Sequence, residues 1–107
     1  MVKKRLPNKV IKEVEKYVAF LKSDRLPINA VYIFGSYAKG KQRKDSDIDV
    51  AVISPRFKNS WQALQYLWRN RPISLNMPIE PVGFNPKDFA SKYSSLVNEI
   101  KTYGVKV

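Results

Sequence analysis

One short stretch, residues 35–49, constrains the fold of this chain more than any other. It begins with Gly35-Ser36, directly after an apolar run, and ends with two acids, Asp47 and Asp49, that open a second apolar run. Ten residues separate Ser36 from Asp47. A polar connection of this length favours antiparallel strands, because a parallel crossover needs a dozen residues or more. The stretch therefore predicts two antiparallel neighbours, with the Gly-Ser turn and the aspartates at one sheet edge.

The two aspartates have the spacing of a metal site. Asp47 and Asp49 are two positions apart on a predicted strand, so their side chains point to the same face. Two carboxylates that face together repel each other, and a hard divalent cation relieves that repulsion. Magnesium prefers one or two carboxylates together with phosphate oxygens of a substrate. The pair predicts a site for magnesium and a phosphorylated substrate.

Three further residues extend this site. Glu80, in a weaker predicted strand over residues 79–84, is the acid placed to complete a two-metal site. Gly35 allows the backbone to approach a phosphate closely, and Ser36 offers a hydroxyl beside the amides of a helix start. Taken singly, Ser36 fits a helix cap and Glu80 a solvent-facing strand residue. Their combination at this spacing favours the site.

Apolar periodicity and turn residues predict seven elements in the order α-β-α-β-α-β-α. Together they indicate a single α+β domain over residues 1–107, with a mixed sheet of three or more strands flanked by helices. The predicted elements are a helix capped by Asn8 and closed by Pro27, a strand over 30–34, a helical turn over 37–40 capped by Ser36, a strand over 47–53, a helix from Asn59-Ser60 to Asn70, a strand over 79–84, and a helix from Asn85-Pro86 to Gly104.

Several local expectations accompany these elements. Trp61 and Trp68 share the apolar face of the third helix, which favours core packing for at least one of them. Pro81 suits an edge strand or a bulge. Asp45 and Ser46 fit an ordinary turn. The last helix has a stripe that includes Phe89, Tyr93, Leu96, Ile100 and Tyr103.

Composition excludes several kinds of chemistry. The chain has no cysteine and no histidine, which removes thiolate sites, imidazole metal sites and histidine general bases. The net charge is +11, from 20 basic and 9 acidic residues, which suits a polyphosphate or an acidic partner but also a solvated surface. The basic N-terminus lacks the apolar run of a signal peptide, and no segment is long and apolar enough to span a membrane. We expect a cytoplasmic protein.

A basic loop over residues 39–44 joins the two halves of the motif. Its cations are Lys39, Lys41, Arg43 and Lys44. They are candidates to contact a triphosphate, a nucleic-acid backbone or an acidic partner, and an ordinary solvated loop is an equal alternative. Lys39 lies nearest to the Gly-Ser turn and is the candidate nucleotide-binding residue among them.

The motif resembles the signature of the nucleotidyltransferase superfamily that includes DNA polymerase beta. Residues 37–40 and the Ser46-Asp47 pair look most like the minimal nucleotidyltransferases (MNT proteins) of bacteria and archaea, and the resemblance extends from about residue 28 onward. It implies that Gly35 and Ser36 hold nucleotide phosphates. It also implies that Asp47 and Asp49 bind Mg²⁺ and that Glu80 takes the third carboxylate position.

The resemblance also implies a function. MNT proteins are commonly encoded beside a HEPN-domain toxin, which they neutralise as antitoxins, in some systems by transferring AMP from ATP to a tyrosine of the toxin. We therefore expect an enzyme that binds a nucleoside triphosphate and forms a hetero-oligomer with a HEPN-type partner. Two alternatives remain open. One is an idle module that blocks its partner sterically, and the other is a basic protein that binds nucleic acid.

Overall fold

The fold is a four-stranded mixed sheet with helices packed on both faces. The structure is a computed structural model that describes residues 6–44 and 46–107. The expectations for Asp45 and for the basic N-terminal residues 1–5 lie outside this described part. The elements are α1 (Asn8–Ser23), β1 (Ala30–Phe34), α2 (Ser36–Lys39), β2 (Ile48–Ile53), α3 (Ser60–Arg69), β3 (Ile79–Phe84), α4 (Pro86–Phe89), α5 (Ser95–Tyr103) and β4 (Val105–Lys106).

The sheet order is β3-β2-β1-β4. The predicted antiparallel pairing of β1 with β2 is confirmed, and it places Phe34 opposite Asp49. β2 runs parallel to β3 and places Asp49 opposite Glu80. The crossover between these parallel strands contains α3, as a parallel connection requires. Asp49 thus lies on a central strand, between a residue that precedes the Gly-Ser turn and the predicted third acid.

The two faces of the sheet bury separate apolar clusters, because successive side chains of a strand alternate between faces. One face packs against α1 and α3, where Val10, Val14, Tyr17, Leu21, Ala63 and Leu67 are buried. The other face packs against α5, where Val97 and Ile100 are buried with Ala51, Ile53 and Phe84. Asp49 and Glu80 lie on the same face of the sheet as this second cluster. They are at the end of the cluster that is exposed to solvent.

The predicted C-terminal helix is wrong in its length. The structure contains two helices, because α4 ends at Phe89 and α5 begins at Ser95. The Ser94 hydroxyl accepts a hydrogen bond from the Val97 amide at 3.1 Å and so starts a new helix. Tyr93, which we expected on the apolar stripe, is 95% exposed in the break. Gly104 ends the last helix as predicted.

A fourth strand was not predicted. Val105 and Lys106 follow Gly104 and pair antiparallel with Ile33 and Tyr32 of β1. Two residues are too few to show an alternation of apolar and polar side chains in the sequence. The strand forms only because it pairs with β1. It covers the side of β1 that β2 leaves free.

The starts of two helices differ from the expectation by one residue. Asn8 is the first residue of α1 rather than its cap, since Pro7 occupies the cap position. Ser36 is the first residue of α2, and Gly35 is its cap. A difference of one residue is the usual uncertainty of a helix boundary. The expected cap of α3 is confirmed, because Asn59 accepts a hydrogen bond from the Gln62 amide.

The expectation of core packing for a tryptophan of α3 is also wrong. Trp61 and Trp68 are 66% and 40% exposed, whereas Ala63 and Leu67 form the buried face of the helix. The Trp68 ring instead contacts the Arg71 guanidinium, whose central carbon lies 4.1 Å from the ring centroid. A cation over an aromatic face is a favourable arrangement at a surface.

The strand over residues 79–84 is confirmed as an edge strand, which agrees with the position of Pro81. In the described ranges 6–44 and 46–107, no helix combines the length and the apolar character needed to cross a membrane.

Gly83 offers a test of the packing between β3 and α3. A Cβ at this position would lie 2.7 Å from both Ala63 Cβ and Phe57 Cε2. We expect Gly83→Ala to lower the free energy of unfolding by about 1–3 kcal/mol, because overpacking forces neighbouring atoms to move. Urea denaturation measures this loss. The double variant with Ala63→Gly makes room and should recover part of it, and strictly additive losses would contradict the predicted contact.

Candidate active site

Three carboxylates come together at one edge of the sheet. Asp47 lies immediately before β2, Asp49 is in β2, and Glu80 is the direct neighbour of Asp49 in β3. Asp47 and Asp49 are half-buried and Glu80 is exposed. The structure therefore brings together the three acids that the sequence singled out, with Asp49 in the middle. Glu80 reaches this group only because β2 and β3 pair in this register.

Gly35 packs its backbone directly against Asp49. A Cβ at Gly35 would overlap the carboxylate of Asp49 and would lie 3.0 Å from its Cγ. Gly35 also has φ 76° and ψ −148°, a region that residues with a side chain adopt at a cost. Two independent requirements thus select glycine here. The turn that follows β1 can approach the aspartate only without a side chain.

The turn continues into α2, whose first residue is Ser36. The Gly35 carbonyl accepts a hydrogen bond from the Lys39 amide at 3.1 Å, and Gly40 ends the helix in the left-handed conformation with φ 70°. The first turn of α2 contains no acidic residue. The first amides of a helix lack intrahelical acceptors, so they are the groups that an anionic ligand can use. Gly35 lies beside Asp49, so a ligand bound at this turn would also meet that aspartate.

The pKa values of Asp49 and Glu80 are raised by their surroundings. Burial raises the pKa of Asp49 above its ordinary value, and the charges of Asp47 and Glu99 raise it further. The pKa of Glu80 is raised first by its hydrogen bond to Asp47, then by burial and by the charges of both aspartates. The hydrogen bond from Glu80 lowers the pKa of Asp49.

Glu99 is a residue of this site that the sequence did not reveal. It lies on α5, and its carboxylate is 3.7 Å from the Lys39 ammonium. Its effect on the pKa of Asp49 places it close to the acidic group. No local pattern marks Glu99, because the orientation of α5 depends on the break after α4. In one continuous C-terminal helix, Glu99 would lie on a different face.

Lys39, the candidate nucleotide-binding cation, is held by α5. Besides Glu99, it contacts the face of Tyr103, with its ammonium 5.0 Å from the ring centroid. Lys39 is still partly exposed and stays on the helix that begins at the Gly35 turn. The other loop cations, Lys41, Arg43 and Lys44, are exposed.

The predicted turn in the loop is confirmed at Ser46. Its hydroxyl accepts a hydrogen bond from the Arg43 amide at 2.7 Å, and its amide donates to the Arg43 carbonyl at 3.1 Å. This turn leads the chain back into β2. It places Asp47 at the sheet edge, next to the strand rather than in the open loop.

The donor set fits a magnesium ion that is shared with a substrate. In the described residues, no group of three or more acidic, histidine or cysteine side chains could hold a metal ion. Magnesium is usually held by one or two carboxylates together with phosphate oxygens and water. Burial, hydrogen bonding and neighbouring charges raise the pKa of Asp49 and of Glu80, and a bound cation would favour the ionised forms. A phosphate at the Gly35 turn would supply the remaining oxygens.

Comparison with known proteins agrees with the fold. A family model described as a nucleotidyltransferase domain matches residues 11–106. The chain therefore belongs to the nucleotidyltransferase domain family, as its motif predicted, and it is a nucleotidyltransferase.

Two relatives and one solved structure make the similarity more specific. Both relatives are proteins of Methanocaldococcus jannaschii named as protein adenylyltransferases. One is 28% identical over 101 residues, which cover 92% of this chain and 95% of the relative. The other is 32% identical over 81 residues, which cover 71% of this chain and 81% of the relative. A crystal structure of a toxin–antitoxin with AMP-PNP has a TM-score of 0.53 and 27% identity, and the match covers 92% of this chain and 69% of that chain.

Gly35→Ala tests the contact between the turn and Asp49, with Gly40→Ala as the matched control. Both glycines have positive φ, but a Cβ at Gly40 would meet nothing within 4 Å. We expect Gly40→Ala to cost about 1–2 kcal/mol of stability from backbone conformation alone. Gly35→Ala should cost more, and it alone should change the pKa of Asp49 in an NMR titration. Equal losses, with the titration of Asp49 unchanged in both variants, would contradict the contact.

Asp49→Asn tests the repulsion. The pKa of Asp49 is raised in the folded state, so the native protein binds this proton more tightly than the unfolded chain. The stability of the metal-free protein should therefore fall as the pH rises from the ordinary carboxyl range through the raised pKa. We expect Asp49→Asn to melt a few degrees higher than the wild type near neutral pH in a chelating buffer. The difference should vanish at low pH, where the carboxyl is neutral in both states.

Asp88→Asn is the control for this measurement. Asp88 lies in the first turn of α4, where a carboxylate is favourable, so its removal should leave the melting temperature unchanged or slightly lower. An Asp49→Asn protein that is less stable than the wild type in the chelating buffer would show that the acidic group is not under repulsion.

Proposed function

We propose that this chain is a magnesium-dependent protein adenylyltransferase that acts as an antitoxin. It transfers AMP from ATP to a hydroxyl of a partner protein, and we take that hydroxyl to be a tyrosine of a HEPN-type toxin. The observation that carries the proposal is the group formed by Asp47, Asp49 and Glu80 beside the Gly35 turn. The names of the two relatives and of the toxin–antitoxin structure support adenylate as the transferred group and a toxin as the partner.

In this proposal Asp47 and Asp49 hold Mg²⁺, and Glu80 is the third ligand. The bound ion would neutralise charge on the phosphates and on the attacking oxygen. Gly35 and Ser36 hold the phosphate chain, because the turn offers backbone amides close to the aspartates and no side chain in the way. Lys39 lies on the same short helix and would contribute a positive charge near the phosphates.

The proposed transfer replaces one bond at the α-phosphorus of ATP with another. The acceptor oxygen forms a bond to the α-phosphorus of ATP, the bond from that phosphorus to the bridging oxygen breaks, and pyrophosphate leaves. The acceptor proton must go to a base. Glu80 is the exposed carboxylate of the group and can accept this proton when it enters the reaction ionised.

A protein acceptor suits a domain of this size. The described residues use both faces of the sheet for α1, α3, α4 and α5, and the acidic group opens at the sheet edge. The exposed cations Lys41, Arg43 and Lys44 border this opening through the loop that leads to Asp47. We propose a single domain over residues 1–107 that works in the cytoplasm and receives its acceptor from the partner.

The experiment combines the protein with its candidate partner, Mg²⁺ and ATP labelled at the α-phosphate. We expect label on the partner with the wild type, and a loss of about 100-fold or more with Asp47→Asn, Asp49→Asn or Glu80→Gln, since each change removes charge from the reacting centre. Asp88→Asn, which removes an acid outside the site, should retain labelling. A chelator should abolish labelling in every sample.

Two outcomes would overturn parts of this proposal. If the wild type and all three site variants leave the partner equally unlabelled, the chain does not transfer adenylate to it. If those variants still neutralise the toxin, the protection is steric. Binding to unspecific RNA or DNA that weakens steeply with salt would instead favour the nucleic-acid alternative.

A further inference from the structure

A buried glutamate on α1 takes no part in the chemistry proposed above. Glu13 is 4% exposed and lies among the apolar residues of α1. A carboxylate in such a place is costly unless it is hydrogen-bonded. Its Oε2 accepts a hydrogen bond from the Met77 amide at 2.7 Å and a second from the Asn76 amide. Glu13 therefore binds a segment more than sixty positions away in sequence.

Lys16 strengthens this connection from the next turn of the same helix. Its ammonium lies 3.5 Å from Glu13 Oε1 and donates a hydrogen bond to the Ser74 carbonyl at 3.2 Å. Hydrogen bonds to a charged group are shorter and stronger than those between neutral groups. Two side chains of α1 thus hold the loop between α3 and β3.

This loop ends at the third carboxylate of the site. Each of the four residues before Glu80 has a hydrogen bond to a residue outside this segment, at Glu13, Ile48 or Arg71. Asn76 and Met77 are held by Glu13, the Pro78 carbonyl accepts from the Ile48 amide at 2.9 Å, and the Ile79 carbonyl accepts from the Arg71 guanidinium at 3.1 Å. The chain enters β3 through a segment in which no residue is left unanchored.

The register of β3 decides whether Glu80 belongs to the site at all. A shift by one residue would turn the Glu80 side chain to the opposite face of the sheet. β3 is an edge strand, paired with β2 on one side only. Its buried residues Ile79 and Phe84 favour the observed register from within the strand. The anchored segment before Glu80 adds a constraint from outside the strand, at the end where Glu80 lies.

We propose that Glu13 is a positioning residue that sets the register of β3 and so places Glu80 beside Asp47 and Asp49. Glu13 acts through the Asn76 and Met77 amides and touches neither substrate nor metal. The inference rests on the proposed function only for the catalytic consequence of misplacing Glu80. The structural part, the dependence of the β2–β3 register on Glu13, can be tested without any activity.

The test compares Glu13→Gln and Glu13→Ala with Glu15→Gln. Glu15 lies two positions away on the same helix and is exposed, so it is a matched control for the loss of a charge on α1. Glutamine keeps an oxygen that can accept from both amides, whereas alanine keeps none. NMR gives the cross-strand contacts Ile48–Ile79 and Asp49–Glu80 and the hydrogen exchange of the Asn76 and Met77 amides, while the adenylate transfer assay gives kcat and KM for ATP.

We expect a graded result. Glu13→Ala should expose the two amides to exchange, weaken or shift the Asp49–Glu80 contact and lower kcat by about 10- to 100-fold, as residues that orient a metal ligand do. The KM for ATP should change much less, since Gly35, Ser36 and the aspartates remain in place. Glu13→Gln should lie between Glu13→Ala and the wild type, and Glu15→Gln should match the wild type.

A folded Glu13→Ala protein with the wild-type cross-strand contacts would overturn the proposal, whatever its activity. If Glu13→Ala does not fold, Glu13→Gln becomes the deciding variant. A Glu13→Gln protein with the wild-type register of β3 and wild-type amide exchange would then overturn the proposal. A wild type that transfers no adenylate would refute the proposed function but leave the NMR comparison valid. An altered register together with unchanged kcat would show that Glu80 is not needed for transfer.

Discussion

The structure depends on the position of one carboxylate between two strands of opposite direction. Asp49 lies on β2, with Phe34 of the antiparallel strand β1 on one side and Glu80 of the parallel strand β3 on the other. The antiparallel partner brings the Gly35 turn to Asp49, and the parallel partner brings a third acid. Both are needed to bring the amides of the Gly35 turn to a cluster of carboxylates. Burial, hydrogen bonding and neighbouring charges in this cluster raise the pKa of Asp49 and of Glu80, so ionising both is costly.

The rest of the fold holds this costly group in place. One face of the sheet is fixed by α1 and α3 and the other by α5, so the central strand β2 is covered on both sides behind Asp49. The buried residues Val50, Ala51 and Val52 continue directly from Asp49 into the core. The acidic group therefore lies at the end of the best-packed strand, where apolar burial offsets the repulsion between charges. The buried residues that stabilise β2 thus begin directly after Asp49.

The sequence was informative where interactions are local in the chain. The spacing between Ser36 and Asp47 predicted the antiparallel pair, and the alternation around Asp49 predicted which side chains share a face. It failed where two local signals compete and where the outcome depends on a distant partner. The break between α4 and α5 follows from the cap at Ser94, which competes with an apolar stripe that would otherwise continue. The two residues of β4 form a strand only because β1 has a free side.

The same limit explains why the roles of Glu99 and Glu13 were missed. Glu99 comes near Asp49 through the orientation of α5, and that orientation follows from a helix start that the apolar stripe obscures. Glu13 resembles any other acid on a lysine-rich helix, and its burial becomes visible only when Asn76 and Met77 are placed against it. Carboxylates that share one face of a strand can be recognised from their spacing in the sequence. Carboxylates that accept hydrogen bonds from a loop cannot, because the loop residues have no recognisable sequence pattern.

The outer edge of β3 has a consequence for how other chains meet this protein. Pro81 has no N–H to offer to a further strand, and the Ile79 carbonyl is already occupied by Arg71. An edge with these features resists the addition of a strand, which is how many sheets avoid uncontrolled association. The side of the sheet nearest to Glu80 is thus closed to backbone pairing but open to side chains.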